Sequence, residues 1–314
     1  MSIPSATAAT TTAVFLLLLT LTSGNPPPHS FKKIYAFGDS YTDTGNTASA
    51  TGPSAFSYVS NLPYGRTFFH HPTNRYSDGR LVIDFLAESL SLPFLPPYLN
   101  RKADTSAGIN YAVAGSTAIR HAFFVKNNLT FAITPQSLQT QLTWFNKTLE
   151  GLKCKSAIST PEDCAAVFRD ALVWVGEIGA NDYAYTVGST VSGETIQRRA
   201  IRSVTGFLEA LLNKGAKYMV WDAYRSVIKN APKLGFHELY KVCCGSSGGL
   251  YNFDLTATCG SKSSSSCQNP SQYVNWDGVH LTEAMYKAVS EMFFNGHFTH
   301  PPFKYLLRSK QNSG

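Results

Sequence analysis

The sequence predicts an α/β fold: a three-layer α/β/α arrangement around a mostly parallel sheet. Three observations predict it. Short apolar runs recur at Ile34 to Phe37, Ile109 to Ala114, Ala171 to Ile178 and Ala216 to Trp221. Their length, their Val and aromatic content and the turn residues around them mark buried strands. Stretches with helical spacing lie between them, and strands that alternate with helices build a parallel sheet covered on both faces. The first three runs also end beside Gly and polar residues, at Gly38-Asp39-Ser40, Gly115-Ser116 and Gly179-Ala180-Asn181-Asp182. In such sheets, ligands bind outside the carboxyl ends of the strands.

Taken in order, the first run breaks at Gly38 into a polar turn that carries Ser40. Residues 47–80, rich in Gly, Pro, Asn and aromatics, read as a long loop over that turn. Val82, Phe85, Leu86 and Leu90 fall at helical spacing, and Pro93 closes that helix. A polar, Gln-rich helix is expected from about Pro135 to Glu150. Ile201, Val204, Leu208, Leu211 and Leu212 form an amphipathic helix stopped by Gly215. Beyond Trp221 the rhythm fails: residues 222–275 offer a short helical piece and a loop-rich, Cys-rich stretch with no clean fifth strand. Thr282 is the expected N-cap of a last helix whose Met285, Val289, Met292 and Phe293 share one face.

The chain has 314 residues, 43% hydrophobic and 15% charged, a globular composition. Its net charge of +7 is scattered, with no basic block, which argues against nucleic-acid binding. Residues 1–12 are small and hydroxyl-rich, Ala13 to Leu21 is apolar, and Thr22-Ser23-Gly24 supplies small residues. That pattern resembles a secretory signal peptide, so residues 1–24 are expected to be a leader and 25–314 a single domain, secreted to the extracellular space, the cell wall or the vacuole. No later stretch is long and apolar enough for stable membrane insertion. Six cysteines favour disulfides over zinc, because paired C-x-x-C spacing is absent. Cys154 and Cys164 can close a small loop. The adjacent Cys243 and Cys244 are expected to pair with Cys259 and Cys267, in either order. Asn128-Leu129-Thr130 and Asn146-Lys147-Thr148 are N-glycosylation sequons, expected at the surface.

Parallel strand ends lie at one edge of a sheet, so Ser40, Gly115 and Asn181 can converge although they are far apart in sequence. A serine nucleophile needs a base, and the base an orienting acid. Asp277-Gly278-Val279-His280 supplies both at i and i+3, a spacing that suits one side of a tight turn. The following helix start favours neutral imidazole, while Asp277 stabilises the imidazolium formed during attack. Gly245-Ser246-Ser247-Gly248-Gly249 also fits G-x-S-x-G, but no strand leads into it, and it reads as a flexible loop.

In order and spacing these blocks resemble the plant GDSL esterase/lipases of the SGNH hydrolase superfamily. The matching segments are Gly38-Asp39-Ser40-Tyr41-Thr42-Asp43-Thr44-Gly45-Asn46, Pro63 to Phe69, Arg75 to Arg80, Asn110 to Gly115, Gly179 to Asp182 and Trp276 to His280. The resemblance implies a flavodoxin-like sheet, ester hydrolysis through an acyl-serine intermediate, and no metal or cofactor. It implies Ser40 as nucleophile, His280 as general base and Asp277 as its partner. The backbone N–H groups of Ser40 and Gly115 and the Asn181 amide would form the oxyanion hole. The implied substrates are small-molecule, lipid or polysaccharide esters; acyl transfer to another acceptor would use the same residues.

One departure stands out. The family sheet has five strands, yet Lys217 to Trp221 runs straight into Asp222 to Val227, which resembles the segment after the fifth strand. A parallel crossover needs a dozen or more residues. The expectation is an internal deletion of several tens of residues near 221–222 that removes part of the strand 4–5 region. The rival expectation is a truncated, non-catalytic relative that at most binds ester-bearing ligands.

Overall fold

The computed structural model describes residues 31–50, 57–129, 134–152, 154, 161–216, 219–221, 234–246, 248–294 and 303. The expected leader and the junction at Asp222 lie outside them, as does Ser247.

Alternation in the first strand sets up the layers. In β1 (Lys33–Phe37), Ile34 and Ala36 face one way and Tyr35 and Phe37 the other, and all four are buried. β1 pairs in parallel with β2 (Gly108–Asn110) on one side and β3 (Ala171–Val175) on the other; β3 pairs in parallel with β4 (Met219–Trp221). The order is β2-β1-β3-β4. Among the described residues no fifth strand joins this sheet.

Ile34, Ala36, Leu172 and Trp174 pack beneath α1 (Val82–Ser89) and the last helix, through Leu86, Met285, Val289 and Phe293. Tyr35, Phe37, Val173 and Val175 form the other core, under α3 (Leu138–Gly151), α4 (Pro161–Phe168) and α6 (Gly193–Asn213). Phe37 is its centre, stacked on Tyr111 at 5.1 Å and edge-on to Phe145 and Phe207 at 5.4 and 5.1 Å. Burying a ring of that size contributes about 1.5–3 kcal/mol.

Three short helices escape the periodicity argument: α2 (His121–Lys126), α4 and α5 (Ala180–Ala184). The second strand stops at Asn110, short of Ala114, although Tyr111 N–H still donates to the Ala36 carbonyl and Val113 N–H to that of Gly38. The Asn110 amide donates to the Thr42 carbonyl and its oxygen accepts from Ala112 N–H, tying the two strand ends together. The third strand likewise ends at Val175, before Gly176.

Beyond β4, the Cys-rich part forms its own small lobe. β5 (Glu238–Val242) pairs in parallel with β8 (Tyr273–Asn275), and β6 (Cys244–Gly245) pairs antiparallel with β7 (Ser265–Ser266). Disulfides join Cys243 to Cys267, Cys244 to Cys259 and Cys154 to Cys164, which resolves the order left open by the sequence. The last helix, α7 (Glu283–Phe294), starts after Thr282, whose hydroxyl accepts from Met285 N–H at 3.2 Å as an N-cap does. Asn128 is exposed, whereas Asn146 is half-buried within α3.

Candidate active site

The turn after β1 is held from three sides. Gly38 exchanges two hydrogen bonds with the Gln141 side chain of α3: its N–H donates to Oε1 at 3.0 Å and its carbonyl accepts from Nε2 at 2.7 Å. Asp39 N–H donates to the Glu177 carbonyl beyond β3, and the Asp39 carbonyl accepts from Thr42 and Asp43 N–H, closing the turn around Ser40. Asp43 is buried and collects N–H groups from Gly45, Asn46, Thr47 and, across the sheet edge, Ala114. Burial pushes its carboxyl up, while those donors and the Thr47 hydroxyl oppose the shift. Asn46 donates to the Asn110 and Ala112 carbonyls. The acid and amide downstream of Ser40 therefore fasten its turn to the chain leaving β2.

Ser40 is nearly buried. Among the described residues, nothing accepts a hydrogen bond from its N–H or from that of Gly115. Gly115 has φ +78°, and a Cβ there would collide with the Thr134 and Tyr185 hydroxyls, so Gly is required. Asn181, in α5, reaches the same place, where its amide donates at 3.0 Å both to Asp39 Oδ2 and to the Ser116 carbonyl. Both amide protons are thus committed, and an oxyanion contact by Asn181 requires the release of one.

The acid and imidazole meet in a tight turn. His280 Nδ1 lies 2.7 Å from Asp277 Oδ2, and His280 N–H donates to Asp277 Oδ1 at 2.8 Å. Val279 N–H also donates to Oδ1, and the Tyr64 hydroxyl donates to Oδ2 at 2.8 Å. Burial alone would push the Asp277 carboxyl up. The charge and hydrogen bonds of His280, with the Tyr64 bond, outweigh it and hold the carboxyl below its ordinary value. With Nδ1–H given to a carboxylate, Nε2 is the basic nitrogen. Both side chains are almost fully buried.

Tyr41 joins the two halves. It comes directly after Ser40, its ring lies 5.7 Å from the His280 ring, and its hydroxyl donates to the Val279 carbonyl at 2.6 Å. Tyr76 flanks the imidazole on another side at 4.7 Å. The five residues singled out by the sequence therefore gather at one end of the sheet: Ser40, Gly115 and Asn181 beyond β1, β2 and β3, and Asp277 with His280 on the adjoining loop.

Sequence reasoning missed four participants. Tyr64 lies in a segment noted only as a family match, and Gln141 in a helix noted only as polar. Asp182 accepts from Ala118 and Ile119 N–H at 2.8 Å each, and burial lifts its carboxyl to about 6. Glu177 sits against Asp39. Burial, then the charge and hydrogen bond of Glu177, push the Asp39 carboxyl well above its ordinary value beside Ser40. Among the described residues no group of three or more His, Cys, Asp or Glu could hold a metal ion, and no helix is long and apolar enough to cross a membrane.

A parallel α/β sheet with a serine turn at one strand end and a buried acid–imidazole pair beside it is the architecture of an α/β enzyme with a candidate hydrolytic site. Sequence comparison supplies the family. The profile described as GDSL-like Lipase/Acylhydrolase matches residues 34–293, and the chain belongs to that family. Among its relatives in Arabidopsis thaliana, GDSL esterase/lipase At3g48460 is 47% identical over 352 aligned positions, covering 90% of each chain. GDSL esterase/lipase At1g28600 is 35% identical, covering 92% of this chain and 91% of its own. GDSL esterase/lipase At5g45910 is 34% identical, covering 88% and 94%.

Proposed function

We propose that the chain is a secreted serine esterase that hydrolyses acyl or acetyl esters of carboxylic acids through an acyl-serine intermediate. The observation that carries the reading is the buried Asp277–His280 pair held through Tyr41 against the turn of Ser40. Ser40 Oγ attacks the ester carbonyl carbon as His280 Nε2 takes its proton, and Asp277 stabilises the imidazolium. The N–H groups of Ser40 and Gly115 receive the oxyanion, and the Asn181 amide joins them on release from Asp39 or Ser116; one such donor contributes about 2.7–4 kcal/mol to the transition state. Collapse expels the alcohol, which takes the proton from His280. Water then attacks the acyl-serine by the same route, leaving the carboxylic acid and free Ser40.

Secretion accords with three disulfides and with the leader-like residues 1–24; residues 25–314 form one domain in this reading. The shortened far side of the sheet is read as an internal deletion near 221–222. The alignment with the 47% identical relative supports it: 352 aligned positions exceed the 314 residues of this chain, so the relative carries tens of residues with no counterpart here.

The test is turnover of p-nitrophenyl acetate and butyrate by the purified protein beside Ser40→Ala. The wild type should be at least 1,000-fold faster, on the order of the loss when one member of such a triad is removed. Equal, background turnover by both would sink the enzyme reading in favour of a binding-only relative.

A further inference from the structure

Away from the catalytic turn, α2 and α6 enclose a cleft of about 780 Å³. Its lining includes four cations, Arg120, Lys126, Arg199 and Arg202, and no Asp or Glu. Among the described residues none of the four takes part in an ion pair. The nearest acid on α6, Glu194, faces Arg198 at 3.9 Å, outside the lining. Asp182 lies beneath the cleft wall with both carboxylate oxygens taken by Ala118 and Ile119 N–H. Arg120 is oriented by Gln139 Oε1 at 3.0 Å, and Arg199 lies over the Phe123 ring at 4.8 Å.

Four unneutralised cations around one concavity repel one another, and an anion relieves that cost. Their arrangement says which kind. Arg120 and Lys126 bracket α2, about 9 Å apart along its axis at 1.5 Å per residue, and Arg199 and Arg202 lie about 4.5 Å apart along α6. Charges spread in two rows suit an extended polyanion rather than a single small ion. Hydroxyls of Thr190, Ser192, Thr195 and Ser203 line the space between them, matching a ligand with hydroxyls of its own. The aromatic face is already covered by Arg199, which leaves no open ring for a nucleobase to stack on. The disulfides place the chain in oxidising compartments, where acidic polysaccharides rather than nucleic acids supply polyanions.

We propose that this cleft binds a segment of acidic sugar chain, a polyuronate whose carboxylates lie over Arg120, Lys126, Arg199 and Arg202. This binding is independent of the ester chemistry at Ser40.

Isothermal titration with a hexameric oligogalacturonate tests it directly. Parallel arms use a neutral glucan hexamer, a single-stranded DNA 12-mer and phosphatidylserine vesicles. The oligouronate should bind at least tenfold more tightly than the neutral hexamer at 20 mM salt, and at least tenfold more weakly at 300 mM salt, where charges are screened beyond a few ångströms. Lys126→Gln with Arg202→Gln should weaken binding at least tenfold at an unchanged melting temperature. Lys126→Gln alone, an exposed change at a helix end, should weaken it severalfold and guards against misfolding of the double variant. Undetectable binding of the oligouronate, equal binding of the neutral hexamer, or affinity untouched by either variant would overturn the proposal. Tighter binding of DNA or vesicles would overturn the sugar class.

Discussion

Tyr64→Phe removes one oxygen atom and no volume that a core would notice, yet it addresses the carboxylate that orients the candidate base. Asp277 is buried and holds its charge because four donors converge on it: His280 N–H, Val279 N–H, the imidazole and the Tyr64 hydroxyl. A hydrogen bond to a charged group contributes about 1.5–3 kcal/mol, and its loss leaves the buried acceptor undersatisfied. Urea denaturation at pH 7, with disulfides intact, should show that loss in the Phe variant at an unchanged slope. The folded Asp277 carboxyl titrates below its ordinary value, so its contribution is complete above the unfolded pKa and fades as pH falls through the folded one. Acid should therefore narrow the gap between the two proteins toward about 0.5–1.5 kcal/mol, the value of a neutral bond. Catalysis provides a second reading. If half the loss is felt where the imidazolium forms, kcat falls roughly four- to thirteenfold with KM unchanged. A stability difference under about 0.5 kcal/mol at pH 7, set against that range, would refute the claim that Tyr64 sustains the charge on Asp277.

Two further expectations rest on the same structure. The Asp182 carboxyl titrates at about 6 when folded and near 3.9 when unfolded, so the folded state binds more proton between those values. Stability should then fall by up to about 3 kcal/mol as pH rises from about 4 to about 6, and Asp182→Asn should lose that component; parallel slopes for both proteins in urea titrations at pH 4, 5, 6 and 7 would count against it. For the proposed deletion, transcripts amplified across Val220 to Tyr224 should include one carrying codons for an additional helix and strand. Recovery of only the direct junction would establish the short form as the natural product.

What could be read from the sequence divides along physical lines. β1, β3 and α6 were legible because their burial is periodic: a strand buried on both faces and a one-faced helix each impose a pattern that survives in the letters. Ser40, Asp277 and His280 could be picked out as candidates because short blocks beside Gly turns follow one another in family order. Tyr64 and Gln141 were not, since their roles are set by partners 213 and 103 residues away, a relation no local pattern encodes. Asp39 was overlooked for another reason. Its neighbour Glu177 lies beyond a different strand, and only the fold brings that half-buried acid against the buried Asp39 and raises the Asp39 carboxyl. β2 was overextended because its regular register with β1 ends at Asn110, whose side chain ties Thr42 to Ala112, and a short apolar run does not disclose where regular pairing gives way to such ties.

These contacts also bear on how a sheet with four described strands positions His280 at all. If the loop depended on the far edge of the sheet, a shortened edge beside β4 would displace it, and catalysis tolerates little displacement. The hydrogen bonds run elsewhere. His280 carbonyl accepts from Trp276 N–H, and the Trp276 carbonyl accepts from Cys244 N–H in the disulfide-braced lobe. Glu283 N–H, at the start of α7, donates to Asp78 Oδ1 at 2.7 Å, and the Glu283 carboxylate pairs with Arg80. Tyr64 and Tyr41 supply the remaining ties, from the loop over the site and from the nucleophile turn itself. Every one of these anchors is N-terminal to α1 or C-terminal to β5, and none uses β4. The stretch that carries Ser40 thus reaches across through Tyr41 to fix the histidine loop on which its own chemistry depends, and the far edge of the sheet can shorten without pulling the two apart.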